Sequence, residues 1–410
     1  MSPASPPRRP AEGAPPRGEH RPARWTGAVG LLLAVASVLV FVHECIDLQV
    51  YQAGARTLLQ NPAALYEGGL QLELPARLPF TYPPFAAALF IPVSFLPVAF
   101  AGPLMAVLSL GLTYAVMRAL LRRLVPLLPA GWARFASPML LTGVLAWTGP
   151  LRSTMSFGQI NAILFGLVCL ACLRWGWGFL AGLVIGLTAG VKLTPLVFGI
   201  VPLARRSWSC IAGMAVGFAG SIALTWAALP ALSHQYWLQV IRDTSRIGSI
   251  GFFDNVSVRA VLARFDADSQ IAWLILALLL IGLVYTALRC LPRETDTLTL
   301  IGLASSLMLL ISPISWAHHA VWLPVILWSW FALAWRLPSA RRPLAVLGAL
   351  LAFTLGVSNR VFAVFLPGGG DPSGSPLWDA YVSLPTAVLV ASVVVIAAAA
   401  VRHRGPTTAE

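Results

Sequence analysis

The feature that most limits how this chain can fold is a succession of helix-length stretches without a charged side chain. Trp25 to Val42, Val98 to Met117, 208–229, 271–288 and 380–401 each run uninterrupted. About 18–20 apolar residues in a helix cross the roughly 30 Å hydrocarbon layer of a bilayer. With 58% hydrophobic and only 10% charged residues, no sizeable soluble domain is left over. The sequence therefore predicts an all-α polytopic membrane protein.

Twelve helices are expected, at 25–43, 98–121, 134–149, 159–174, 178–191, 194–204, 208–229, 271–289, 298–312, 319–335, 343–361 and 380–401. The pair within 178–204 reads either as two short helices or as one broken one. Segment 84–96 is apolar but short and interrupted by Pro92, so it is expected to be re-entrant or interfacial. Residues 1–24, rich in Pro and Arg, read as a disordered basic tail, and 402–410 as a second tail. Between them, 25–401 form one membrane domain. The first apolar run lacks a small-residue cleavage site before His43 and Glu44, so it reads as a retained helix.

Orientation follows from the cations. With the basic N-terminus in the cytoplasm, alternation places 19 of the 28 Lys and Arg inside and nine outside, as the positive-inside bias requires. Both termini are then cytoplasmic. The same dispersal over many short loops removes the case for a nucleic-acid partner. On the outside fall a long first loop, 43–97, a second long loop, 230–270, and shorter ones at 152–161, 192, 312–319 and 362–379. Long connections between membrane helices usually carry function.

The polar residues of those loops are the candidates for chemistry. Asp47 sits where the first helix leaves the membrane, and reads as a partly desolvated general base or as a helix-starting interfacial charge. Tyr51 and Tyr82 read as ligand contacts or as members of the aromatic belt. Gln159 and Asn161 open an apolar helix, as amides for a hydroxylated ligand or as helix caps. Lys192, the single lysine, neutralises a phosphate at the membrane surface or snorkels to it. Asn255 and Arg259 lie in the second long loop, with Arg259 the better phosphate ligand and Arg242 and Arg246 closer to lipid headgroups. Trp316 precedes His318 and His319; successive residues on a helix point about 100° apart, so one of the two histidines is expected to face the site. Cys169 and Cys172 form a CxxC inside an apolar run with no second pair, which favours packing over a metal. No metal site is expected.

Taken together, Asp47 and Tyr51, Leu65-Tyr66, Phe80-Thr81-Tyr82-Pro83-Pro84, Gly158-Gln159-Ile160-Asn161, Gly190-Val191-Lys192-Leu193-Thr194-Pro195 and Ser312-Pro313-Ile314-Ser315-Trp316 with His318-His319 form an ordered set. It resembles the bacterial polyprenol-phosphate-dependent mannosyltransferases of glycosyltransferase family 87. The resemblance implies a type-C glycosyltransferase fold, a plasma-membrane enzyme with its site on the outer face, and transfer of a hexose, mannose first, from a polyprenyl-phosphate sugar to a glycolipid or glycan. It implies Asp47 as catalytic base, with His318 or His319 as its partner near the donor phosphate, and no cofactor. An arabinofuranosyl or other sugar donor is the alternative within the class. A lipid or sugar transporter is the rival outside it; transporters place ionisable groups near the bilayer midplane, often in repeated halves, and neither is evident here.

Overall fold

The computed structural model describes residues 23–356 and 375–404. The expected tails at 1–22 and 405–410, the end of the 343–361 helix and most of the 362–379 loop lie outside the described residues.

The described residues are overwhelmingly helical, as the apolar runs require. Six helices are long and apolar enough to cross a membrane: Arg24–Phe41, Val98–Leu127, Trp208–Ala228, Gln270–Cys290, Ala317–Arg336 and Pro376–His403. A seventh span arises if Gly149–Phe157 and Asn161–Trp175, bent by 118° at their junction, count as one. Phe179–Val191, Thr194–Arg205 and Thr297–Ile311 are apolar but shorter. The expected 134–149 helix is reduced to nine residues, Pro138–Ala146, preceded by a short turn at Ala130–Ala133. Segment 178–204 is broken: the first helix ends at Val191, Lys192 is extended (φ −148°), and the chain resumes as a 3-10 turn from Thr194. Pro195 follows the break and supplies no backbone donor.

Close helix contacts depend on glycine. Phe179–Val191 and Trp208–Ala228 run parallel, with Gly182 against Cys210 and Gly186 against Met214. A Cβ on Gly186 would lie 2.3 Å from the Met214 carbonyl oxygen, and one on Gly217 2.4 Å from that of Leu183. Small residues let backbones approach where lipid offers no competing hydrophobic force.

The polar groups separate to the two ends of these helices. At one end Arg123 pairs with Asp296 (2.6 Å), which also accepts from the Trp328 indole (2.8 Å). There too Arg205 donates to the Pro292 carbonyl (2.9 Å) and Arg289 to that of Ala204 (3.0 Å). The helix that begins beyond Asp296 ends at Ile311, and the one that begins at Phe179 ends beside Lys192; both lead to the opposite end. There the first loop folds back as a helix, Ile46–Gln60, a 3-10 turn, Pro62–Tyr66, and a two-stranded antiparallel ribbon, Leu70–Gln71 with Arg77–Leu78. The short apolar segment becomes two small helices, Pro84–Leu89 and Ile91–Ser94, tied down by Gln52 donating to the Val93 and Leu96 carbonyls (3.0 and 2.8 Å).

Gly186→Ile is expected to lower stability by about 3 kcal/mol through overpacking, seen as a lower unfolding midpoint in detergent. Gly220→Ala, on the facing Trp208–Ala228 helix but in open space, should leave the midpoint in place. Equal midpoints for both variants would contradict the parallel packing.

Candidate active site

At the loop-rich end a cavity of about 320 Å³ opens between the first loop, the Lys192 break, the second loop and the His318 turn. Its wall includes Asp47, Tyr82, Gln159, Lys192, Arg246, Trp316, His318 and His319. The size suits a small ligand.

Asp47 is placed by a sharp change of direction. Cys45 adopts a left-handed conformation (φ 46°) and starts the Ile46–Gln60 helix, so Asp47 lies in its first turn, where the helix dipole favours an anion. The Cys45 amide donates to the Ser156 carbonyl (3.1 Å), docking this turn on the junction that follows Gly149–Phe157. Gly158 closes that junction at φ +65°, and a Cβ there would sit 2.6 Å from Leu48 Cβ. A glycine therefore lets Gln159 reach the carboxylate: Gln159 Nε2 donates to Asp47 Oδ2 at 2.7 Å. Its Oε1 accepts from the Tyr51 hydroxyl (2.8 Å), which lies 3.1 Å from the Tyr82 hydroxyl. Tyr51 is fully buried and stacks on Phe90 with ring centroids 4.3 Å apart. These bonds define which way the Gln159 amide points.

A second chain of bonds holds the cation. Lys192 Nζ donates to Asn161 Oδ1 (2.8 Å) and lies 2.9 Å from His319 Nε2 and 5.6 Å from the centre of the Tyr82 ring. A protonated lysine makes His319 Nε2 an acceptor, which puts the imidazole proton on Nδ1. That Nδ1 is buried and has no hydrogen-bond partner among the described residues. Asn161 Nδ2 donates to the His318 carbonyl (3.2 Å), so one amide ties the lysine to the histidine turn.

Burial pushes the Asp47 carboxyl up to about 6, against the opposing pull of the Gln159 hydrogen bond and the Lys192 charge. Burial likewise pushes the Lys192 ammonium down to about 7, opposed by the Asp47 charge. Each group supports the ionised form of the other. At near-neutral pH the cavity holds a carboxylate able to take a proton and a cation beside it.

Asp47, Tyr82, Gln159, Lys192, Trp316 and both histidines reach the cavity wall, while Tyr51 and Asn161 stand directly behind it. Four expectations need correction. His318 and His319 both line the cavity, because Ala317–Trp322 is a kinked 3-10 turn rather than an α-helix. Of the two imidazole rings, only that of His319 bonds a polar site residue, and that residue is Lys192, not Asp47; the His318 ring packs edge-on against Phe157 (5.5 Å). Arg259 does not line the cavity: it pairs with Asp268 (3.1 Å) over the Trp273 ring. Asn255 is a clamp for the loop. Its fully buried side chain accepts from the Ser257 and Ser315 amides (3.1 and 2.8 Å) and donates to the Ile250 carbonyl (2.8 Å), beside a backbone bridge to Trp316. In place of Arg259, Arg246 lines the cavity, with Tyr236, Thr81 and Ser312, none of which the sequence singled out as ligands. No spacing or apolar pattern in the second loop distinguishes Arg246 from Arg242.

A carboxylate and a cation poised in one cavity at the end of an apolar bundle suit a membrane-embedded group-transfer enzyme. The chain belongs to glycosyltransferase family 87, whose profile matches residues 80–313. It is 37% identical to the polyprenol-phosphate-mannose-dependent alpha-(1-2)-phosphatidylinositol pentamannoside mannosyltransferase of Mycolicibacterium smegmatis, over 69% of this chain and 68% of the relative. A protein of the same description from Mycobacterium tuberculosis is 33% identical, over 75% and 73%. A polyprenol-phosphate-mannose-dependent alpha-(1-2)-phosphatidylinositol mannoside mannosyltransferase, also from Mycobacterium tuberculosis, is 32% identical, over 73% of each chain. The protein is thus a multi-pass membrane glycosyltransferase.

Activity is expected to rise as pH passes about 6, when Asp47 loses its proton, and to fall above about 7, when Lys192 loses its own. Lys192→Gln removes the charge that lowers the Asp47 value, so the acidic limb should move to higher pH. Lys192→Arg keeps its charge and should abolish the alkaline limb. A pH–rate profile of kcat/KM for the three proteins checks both signs.

Proposed function

We propose that this enzyme transfers mannose from a polyprenyl-phosphate-mannose donor to a phosphatidylinositol mannoside or similar glycolipid, with Asp47 as the catalytic base. The donor and acceptor classes are those in the names of its relatives. The observation that carries the role of Asp47 is its hydrogen bond to Gln159 in a cavity it shares with Lys192. The acceptor hydroxyl gives its proton to Asp47 as its oxygen bonds to the anomeric carbon. The carbon–oxygen bond to the phosphate breaks, and its electron pair leaves on the polyprenyl phosphate. One base and one displacement invert the anomeric centre. Preorganised cations favour the charge that develops on the leaving oxygen. The donor brings its own activated leaving group, so the reaction calls for no cofactor.

The reading extends to fold and orientation. We assign 25–401 to one catalytic domain of the type-C glycosyltransferase kind, with the shorter helices completing twelve segments. The site is assigned to the outer face of the plasma membrane, with both termini in the cytoplasm. One observation supports this side: Arg123, Arg205 and Arg289 gather at the end of the bundle away from the cavity, as the positive-inside bias expects of a cytoplasmic face. The parallel run of Phe179–Val191 and Trp208–Ala228 supports the helix alternation, with one further crossing between them.

The test is transfer of radiolabelled mannose from polyprenyl-phosphate-mannose to a glycolipid extract, by membranes carrying wild type or Asp47→Asn. Wild type should give labelled glycolipid, and the variant about 10²–10⁴-fold less. A variant within a few-fold of wild type would remove Asp47 as base. Wild type without product, but active on a polyprenyl-phosphate pentose, would overturn mannose while keeping the class.

A further inference from the structure

The two cations of the cavity differ in how far their hydrogen-bonding capacity is used. Lys192 Nζ is occupied by Asn161 and His319. The Arg246 guanidinium is not: its Nε and Nη2 are buried and have no hydrogen-bond partner among the described residues. A guanidinium never gives up its charge at ordinary pH, so it cannot escape this desolvation by neutralising, as a lysine can. Two buried, unpaired N–H donors on a permanent cation are explained by an anion that arrives from outside.

The nearest acid in the chain does not supply it. Asp243 lies on the same cavity wall, but its Oδ1 accepts from the backbone amide and hydroxyl of Ser245, capping the short turn that carries Arg246. The described residues contain no ion pair to Arg246. Arg246 and Asp47 line the same cavity with no ion pair between them, which suits a ligand with its reacting carbon between a hydroxyl partner and an anionic group.

The surroundings say what the anion is attached to. Val240, Ile241 and Ile247 line the cavity on either side of Arg246 in sequence. Ile241 and Ile247 are also 36% and 39% exposed, so the same apolar side chains form the inner wall and the outer surface. A sugar phosphate free in water would gain nothing from such a track, whereas a lipid-linked phosphodiester gains contacts for its first chain carbons. The planar fork of an arginine matches two phosphate oxygens.

Building on the proposed transferase reaction, we infer that Arg246, with Val240, Ile241 and Ile247, forms the docking subsite for the phosphodiester and adjoining hydrocarbon of a lipid-linked substrate. Lys192 is then committed to Asn161 and His319, and Arg246 is the principal grip on the lipid phosphate. The donor and a glycerophospholipid acceptor both present this group, and kinetics separates them.

Full-length wild type, Arg246→Gln and Arg246→Lys in nanodiscs are compared by initial rates, with polyprenyl-phosphate-mannose and phosphatidylinositol mannoside each varied in turn. Arg246→Gln should raise KM for one lipid at least tenfold, with kcat within about threefold, and Arg246→Lys should recover part of the loss. Repeating the assay with an alkyl mannoside acceptor, which has no phosphate, identifies the source. A donor KM that stays high assigns the subsite to the donor, and a defect that vanishes assigns it to the acceptor. Unchanged KM for both lipids, or a fall in kcat alone, would overturn the inference. Should wild type not use the mannose donor, farnesyl phosphate serves as the probe. It should raise the unfolding temperature of wild type more than that of Arg246→Gln, and equal shifts would overturn the subsite independently of the reaction.

Discussion

Asp47 and Lys192 each keep a useful charge because the other is present. In a cavity walled largely by protein, an isolated carboxylate would hold its proton and an isolated ammonium would lose one, since burial penalises the ionised form of both. The mutual field pulls the two back toward ionisation without joining them in an ion pair. Gln159 supports the carboxylate directly, and Asn161 with His319 supports the ammonium. The pair stays separate, so the carboxylate can accept a proton that is not already offered by its neighbour.

The bundle makes this arrangement possible by concentrating its irregular backbone at one end. A left-handed cysteine two residues before Asp47, a glycine at positive φ just before Gln159, a helix broken at Lys192 and a kinked 3-10 turn at His318 all shape one cavity wall. Each exposes backbone or side-chain polar groups that regular helices would have left in lipid, and such irregularity is tolerated where it is covered by protein or lines a wet cavity. The arginine network at the other end and the glycine-mediated contacts between helices hold the frame on which these turns rest.

Much of this was legible in the sequence, and the failures have physical causes. The membrane class followed from charge-free runs, and Asp47, Gln159 and Lys192 stood out because a polar group is conspicuous at the edge of apolar sequence. The span count was less secure: hydropathy does not reveal that Pro138–Ala146 forms only nine helical residues. Asn255 and Arg259 were misjudged because their partners are set by tertiary structure. Ser315 lies 60 residues from Asn255, and Trp273 approaches Arg259 only when the loop folds back on the Gln270–Cys290 helix. Arg246 was grouped with Arg242 at the lipid headgroups for the opposite reason. What distinguishes it is a hydrogen bond it does not make, and no sequence pattern encodes an unmet donor. The histidines were read on an α-helical wheel that the 3-10 turn does not follow.

The proposed reaction is a single displacement driven by one carboxylate. The measurement that bears on it most directly is the anomeric configuration of the transferred sugar, read by NMR of the purified product beside that of the donor. One displacement with Asp47 as base predicts opposite configurations in donor and product. The same configuration in both would contradict the account, because retention requires a second displacement and a nucleophile that the arrangement around Asp47 does not assign.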